Sequence, residues 1–238
     1  MKALLLGSAA AAALAIGSAS AADMPLKGPA AAPYISWTGL YIGGSAGVAV
    51  GNMRDFCATN GLCATNGDDT SWTGGGHVGI QWQTGQFVLG AEAKWIATDL
   101  NPFGNCPNAN FRCSIHIDDY WTAGARLGYT FTPSSLVYIT GGYAQSKIDR
   151  DTVLKATNTV DEVWSATHSG WYIGSGAEFR VSNTGWVLGF EYNHIDFGSK
   201  SATSGPGAIT GAVTTTSVKA TVDTFQGRVS YLFNWWGR

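Results

Sequence analysis

Between Trp37 and Phe233 the chain keeps returning to one pattern, apolar and polar side chains in alternation. Successive residues of a β-strand point to opposite faces, so a period of two writes a two-faced strand and not a helix. Eight segments carry it. The first, WTGLYIGGSAGVAV, sets Leu40, Ile42, Ala46, Val48 and Val50 against Gly39, Tyr41, Gly43, Ser45 and Gly47. The third, FVLGAEAKWIATDL, sets Phe87, Leu89, Ala91, Ala93 and Trp95 against Gly90, Glu92 and Lys94. The eighth, about Val222 to Phe233, sets Phe225, Gly227, Val229, Tyr231 and Phe233 against Gln226, Arg228 and Ser230. GGGHVGIQWQ, IDDYWTAGARLGYTF, LVYITGGYA, GWYIGSGAEFRV and GWVLGFEYNHIDF supply the other five.

Alternation alone fits a soluble sandwich as well as a barrel, and the connections discriminate. After strands two, four and six the chain turns at once, through TGQ, TPSS and SNT. After strands one, three, five and seven it runs through long polar stretches, 51–69, 99–115, 149–168 and 198–220. Short and long connections in strict rotation put every long loop at one end of the sheet, as in a membrane-spanning β-barrel. Composition agrees. Charged residues are 13% of the chain and the mean hydropathy is +0.02, so apolar and polar rows cancel. The net charge of −2 gives no footprint for nucleic acid.

Aromatics on the apolar rows form two groups. Trp82, Phe87, Tyr129, Phe179, Trp186, Tyr231 and Phe233 lie beside the short turns, and Trp72, Trp95, Trp121, Trp171, Tyr192 and Phe225 near the long loops. A soluble core would put its largest residues mid-strand, whereas two belts separated by small aliphatics match the interfacial girdles of a membrane barrel.

The N-terminus reads as an export signal. Lys2 precedes the apolar run ALLLGSAAAAALAIG, and Ala19-Ser20-Ala21 is a small-x-small cleavage site. Residues 1–21 are thus a predicted signal peptide. The Pro- and Ala-rich stretch 22–36 is a periplasmic linker, 37–233 the barrel and 234–238 a short tail.

WTGLYIGG, GGGHVGIQWQ, LVYITGGYA and GRVSYLF together resemble the small porin-family barrels of alphaproteobacterial outer membranes, akin to the OmpA/OmpX type. The resemblance covers residues 37–233. It implies an eight-stranded antiparallel up-and-down barrel in the outer membrane, embedded in lipid and lipopolysaccharide. It also implies delivery by periplasmic chaperones and insertion by the barrel-assembly machinery. Phe225, Gly227, Val229, Tyr231 and Phe233 resemble the last-strand assembly signal of such proteins, although here NWWGR follows the terminal aromatic.

Other motifs carry less. Gly74–Gly79 satisfies G-x-G-x-x-G but sits inside an alternating strand with no helix after it, so it is no dinucleotide fingerprint. His77, His116, His168 and His194 lack metal-ligand spacing, and no nucleophile–base–acid arrangement is visible. No cofactor and no enzymatic activity are expected. Cys57 and Cys63 share the first long loop and Cys106 and Cys113 the second; in an exported chain this favours two local disulfides. The spacings are too wide for the usual zinc pairs.

The inward row holds the remaining chemistry. Glu92, Lys94, Arg126, Glu178, Arg180, Glu191 and Arg228 all face the lumen of the predicted barrel, several at similar depth. Isolated charges there are costly to bury, so opposite charges are expected to pair and plug the lumen. That predicts a monomeric structural or surface-interacting barrel. The alternative is a narrow diffusion porin, in which water fills the lumen and solvates the same charges.

Overall fold

A computed structural model describes residues 36–57, 64–101, 103–105, 109–182, 184–211, 213 and 215–234. Eight long strands form one antiparallel ring: β1 (Gly39–Cys57), β2 (Ala64–Thr84), β3 (Phe87–Leu100), β5 (Phe111–Thr132), β6 (Ser135–Leu154), β7 (Thr159–Arg180), β8 (Trp186–Thr203) and β9 (Thr215–Phe233). A three-residue strand, β4 (Phe103–Asn105), pairs with β5 in the second long connection. Each long strand bonds to its neighbour in sequence, β3 pairs directly with β5, and β9 returns to β1 from Leu40↔Phe233 to Cys57↔Thr216. The ring is closed, with no barrel edge in its lower half.

The turns follow from local chemistry. Gly85 takes φ +61 in the two-residue link between Thr84 and Phe87 while Gln86 keeps a negative φ, the type II′ geometry that suits twisted hairpins. At the opposite end the strands run much further than the sequence suggested. Residues 51–57, 111–115, 149–154, 159–168, 198–203 and 215–220 were expected in loops and are strand. The cause is visible in the side chains. Among the described side chains there, the outer face is mostly polar and most of the large apolar residues turn inward, so the alternation persists with its sign largely reversed.

Within the lower half the faces are as the sequence implied. Along β3, Phe87, Leu89, Ala91, Ala93 and Trp95 point outward and Gly90, Glu92 and Lys94 inward. The two aromatic girdles are exposed on the outer wall, with Phe87 and Trp95 bounding them on this strand. Eight residues at about 3.3 Å each, on a strand tilted by about 40°, separate the belts by about 20 Å. Above the upper girdle water replaces hydrocarbon outside, and the apolar residues turn inward. Ile96, Leu100, Ile115, Ile117, Tyr120, Ile148, Trp164, Phe197, Val218 and Val222 fill the barrel there as one buried cluster. A smaller cluster of Trp37, Tyr41, Val88, Leu136, Tyr138, Val187 and Leu232 fills the short-turn end.

Candidate functional site

Between these two apolar clusters lies a buried layer of charge. Glu92 and Lys94 come from β3, Arg126 from β5, Glu178 from β7, Glu191 from β8 and Arg228 from β9. The pleat turns each inward, and their side chains are all at most 5% exposed. Arg228 grips Glu92 through both guanidinium NH₂ groups and donates from one of them to Glu191. Lys94 donates to Glu191 and lies 3.4 Å from Glu92. Arg126 donates to Glu178 at 2.9 Å, and Glu178 lies 3.7 Å from Arg228.

Polar neighbours complete the layer. The Tyr41 hydroxyl accepts from Arg126 at 3.1 Å and donates to Glu92 at 2.9 Å. The Tyr138 hydroxyl donates to Glu191 at 2.7 Å, and its ring stacks under the Arg126 guanidinium at 3.8 Å. Asn193 Nδ2 donates to Glu191 at 2.9 Å. His77 and Ser230 are hydrogen-bonded at 2.7 Å beside this set. Three carboxylates face three cations, so the layer is neutral in sum and densely bonded. Each buried charge has an opposite partner, the first condition under which burial is tolerable, although Arg126 Nε, Arg228 Nε and Glu178 Oε1 make no hydrogen bond.

Arg180 is not part of it, contrary to the sequence expectation. It is the last residue of β7, and its guanidinium lies at the short-turn rim. There it donates to the Ser36 and Thr184 carbonyls and lies 6.0 Å from the centre of the Trp37 ring. The alternation gave its face correctly, but its depth is two residues beyond Glu178, where the lumen meets the turns. Removing Arg180 leaves the network with equal numbers of each sign.

Trp37 was read only as the start of structure and is instead the floor of the lumen. Its side chain is fully buried, its Nε1 donates to the Pro133 carbonyl at 3.1 Å, and its amide donates to Gln83 at 2.8 Å. Ser36 beside it also accepts from Asn234 at 3.0 Å. Tyr41 and Tyr138 were likewise missed as network members. Large aromatics on the inward row among glycines are the signal that could have found them.

Phe225, Gly227, Val229, Tyr231 and Phe233, the residues expected to form an assembly signal, occupy the outward face of β9. Tyr231 packs edge-on against Trp186 and Phe233. Cys113 is buried with Phe111 at the loop end. The pairings expected for Cys57, Cys63 and Cys106 fall outside the described residues and side chains. Gly74–Gly79 lies within β2, and among the described residues no group of acidic, His or Cys side chains is arranged to hold a metal.

Against known proteins, the profile of the outer membrane protein beta-barrel domain matches residues 9–233. The chain belongs to this outer-membrane barrel family. A family relative, the 31 kDa outer-membrane immunogenic protein of Brucella melitensis, is 33% identical over 215 residues, covering 84% of this chain and 89% of the relative. The 25 kDa outer-membrane immunogenic protein of Brucella ovis is 29% identical, covering 71% of this chain and 74% of its own. Among solved structures, the outer membrane protein OprG of Pseudomonas aeruginosa is similar with a TM-score of 0.56 at 12% identity, covering 85% of this chain and 100% of that one. The outer membrane protease OmpT of Escherichia coli gives 0.54 at 8% identity, covering 82% and 97%. At such identities these two show the fold alone. The family barrel is an outer-membrane protein, and its girdles mark the bilayer.

Proposed function

We propose that this protein is a closed barrel that reinforces the outer membrane and presents its loop end at the cell surface. The observation that carries this reading is the neutral, six-residue charge layer centred on Arg228, Glu92 and Glu191, held between two apolar clusters. An ion crossing the lumen would have to break buried pairs and then pass an apolar layer on either side. An eight-stranded interior is just wide enough to be filled by side chains. The Brucella relatives are named as immunogenic, which supports exposure of the same end here.

Conductance decides between this and a narrow porin. Refolded into planar bilayers, the wild type is expected to give no stable channel, and Glu92→Gln is expected to raise ion flux. Steady channels from the unmodified protein would overturn the closed reading. The accompanying parts of the proposal are a monomeric barrel surrounded by lipid and lipopolysaccharide, chaperone-assisted delivery, and insertion guided by the β9 aromatics. Disulfides Cys57–Cys63 and Cys106–Cys113 would restrain the loops. Peptide mapping without reductant should find both as closed rings, and four alkylatable thiols in protein extracted from membranes would exclude them.

A further inference from the structure

The wall of the barrel parts between β7 and β8 above the upper girdle. Their ladder runs from Arg180↔Val187 to Trp171↔Asp196, while β7 continues to Thr159 and β8 to Thr203. Gly170 marks the last close approach, because a Cβ there would meet the Asp196 carbonyl. Just beyond, Gly198 takes φ +70 and the β8–β9 register slips between Asp196 and Ser199, which gives β8 a hinge at this level. Higher up the strands are tied again. The Ala208 amide donates to the Asp161 carbonyl at 2.9 Å, and the Ile209 and Thr210 amides donate to its carboxylate. Between these ties Lys200 crosses the seam, its Nζ donating to the Thr167 carbonyl at 2.7 Å.

His168 stands next to that contact. It follows Thr167 in the chain, lies on the inward row of β7 and is fully buried. Neither ring nitrogen completes a hydrogen bond, although the Phe197 backbone lies beside the ring. Its cross-strand neighbour Ser146 donates its own hydroxyl to the Asp119 carbonyl at 2.7 Å. Ile148, Trp164 and Phe197 of the upper apolar cluster occupy the same inward rows. An imidazole so placed is tolerable while neutral, since a charge there would have neither water nor an anion beside it.

The surrounding strands turn their acids elsewhere. On β6 the outward Lys147 pairs with Asp149 at 3.4 Å and Asp151 with His116 at 3.0 Å, while the inward charge is Arg150. On β5 Asp118 is exposed, Asp119 accepts from Trp95 Nε1 on the outer wall, and the phenol of Tyr120 faces the lumen. On β8 the Asp196 carboxylate accepts from the Gly198 amide and lies 3.6 Å from Lys219 of β9. β9 itself turns Val218, Ala220 and Val222 inward at this height. On β7 Tyr172 lies below the ring, and Asp161 and Glu162 lie near the upper end of the strand. Lys200 is the charge whose field reaches His168, and it opposes protonation. Burial first, and Lys200 after it, push His168 down to about 4.

We propose that this seam is an acid-sensitive gate at the cell surface, with His168 as its trigger and Gly198 as its hinge. Protonation sets a second cation beside Lys200 in an apolar layer. Lys200 then leaves the Thr167 carbonyl for water, and upper β8 swings away from β7 until the imidazolium is hydrated. In the open state the ring regains its ordinary value of about 6.5. Between pH 6.5 and about 4 the open state therefore binds more protons than the closed one. Closure holds fully above pH 6.5 and is lost as the pH falls toward 4. Asp161 does not share this window. Burial raises its carboxyl, but the hydrogen bonds from Ile209 and Thr210 outweigh that and hold it below its usual range, so the upper tie stays ionised at pH 5. The gate lies above the charge layer and stands whether or not the lumen conducts.

The test is amide hydrogen exchange on the refolded full chain in lipid vesicles, expressed as protection factors so that the intrinsic pH dependence cancels. Between pH 7.5 and pH 5, residues 159–168 and 198–203 are expected to lose about 30-fold in protection, while the membrane ladder at Gly90 and Gly128 loses little. His168→Leu and His168→Gln do not titrate, and each is expected to abolish the loss; either suffices if the other fails to fold. Unchanged protection of the two segments in the wild type overturns the proposal. An equal loss in the membrane ladder overturns it too. So does a loss that persists in the His168 variants, which would assign the response to carboxylates.

Discussion

Arg228 and Glu92 are 136 residues apart in sequence and meet through two guanidinium–carboxylate hydrogen bonds. They join β9 to β3 across the lumen, with β1 and β2 lying between those strands in the wall. The pair is therefore a strut through the barrel interior as well as a member of its charge layer.

Deleting one end of that strut leaves the buried layer with one uncompensated charge. Arg228→Ala is expected to destabilise the folded barrel by about 3–5 kcal/mol, measured by urea unfolding in lipid vesicles. Arg228→Gln combined with Glu92→Gln should recover most of the loss, because no unpaired charge remains. Equal stability of wild type and Arg228→Ala would show that the lumen is hydrated.

The corrected position of Arg180 gives a contrast. Arg180→Ala should leave ion flux unchanged, because the residue lies outside the charge layer. Trp37→Ala should cost about 3–5 kcal/mol, the usual range for a buried tryptophan. A rise in flux for Arg180→Ala similar to that expected for Glu92→Gln would return Arg180 to the network.

The two faces of β3 should respond differently. Ala91 points into lipid, and Ala91→Arg is expected to cost about 2–4 kcal/mol in a bilayer. Yield of folded protein in vesicles, read by heat-modifiable gel mobility, reports the effect. Unimpaired folding would contradict the register.

Above the girdle the protein should behave like a soluble core. Ile148→Ala is expected to cost about 2–5 kcal/mol, and the loss should appear as faster hydrogen exchange in upper β5, β6 and β7. Exchange in the membrane-embedded ladder, such as Gly90 and Gly128, should change less. Uniform acceleration would show that the two halves unfold as one unit.

The alternation and the rotation of short and long connections made most of the architecture legible in the sequence. Strand number, in/out faces and both girdles follow from them, and Ala91 and Glu92 sit where the period places them. The upper strands were hidden because a polar exterior and apolar interior reverse the sign. Ile115, Trp164 and Val218 lie in stretches whose polar neighbours read as loop. Arg180 was misplaced because a period of two reports the face of a side chain and not its depth. Trp37 carries no local signal at all, since its significance comes from Pro133, almost a hundred residues away and across the mouth of the barrel.

That last contact orders events in time. The atoms that hold Ser36 and Trp37 belong to Gln83, Pro133, Arg180 and Asn234, which span three turns and the far terminus. No incomplete ring can offer all four. The tryptophan is among the first residues of the described chain to be synthesised, yet its full set of contacts forms only when β9 has met β1. It is a keystone, carved early and set last.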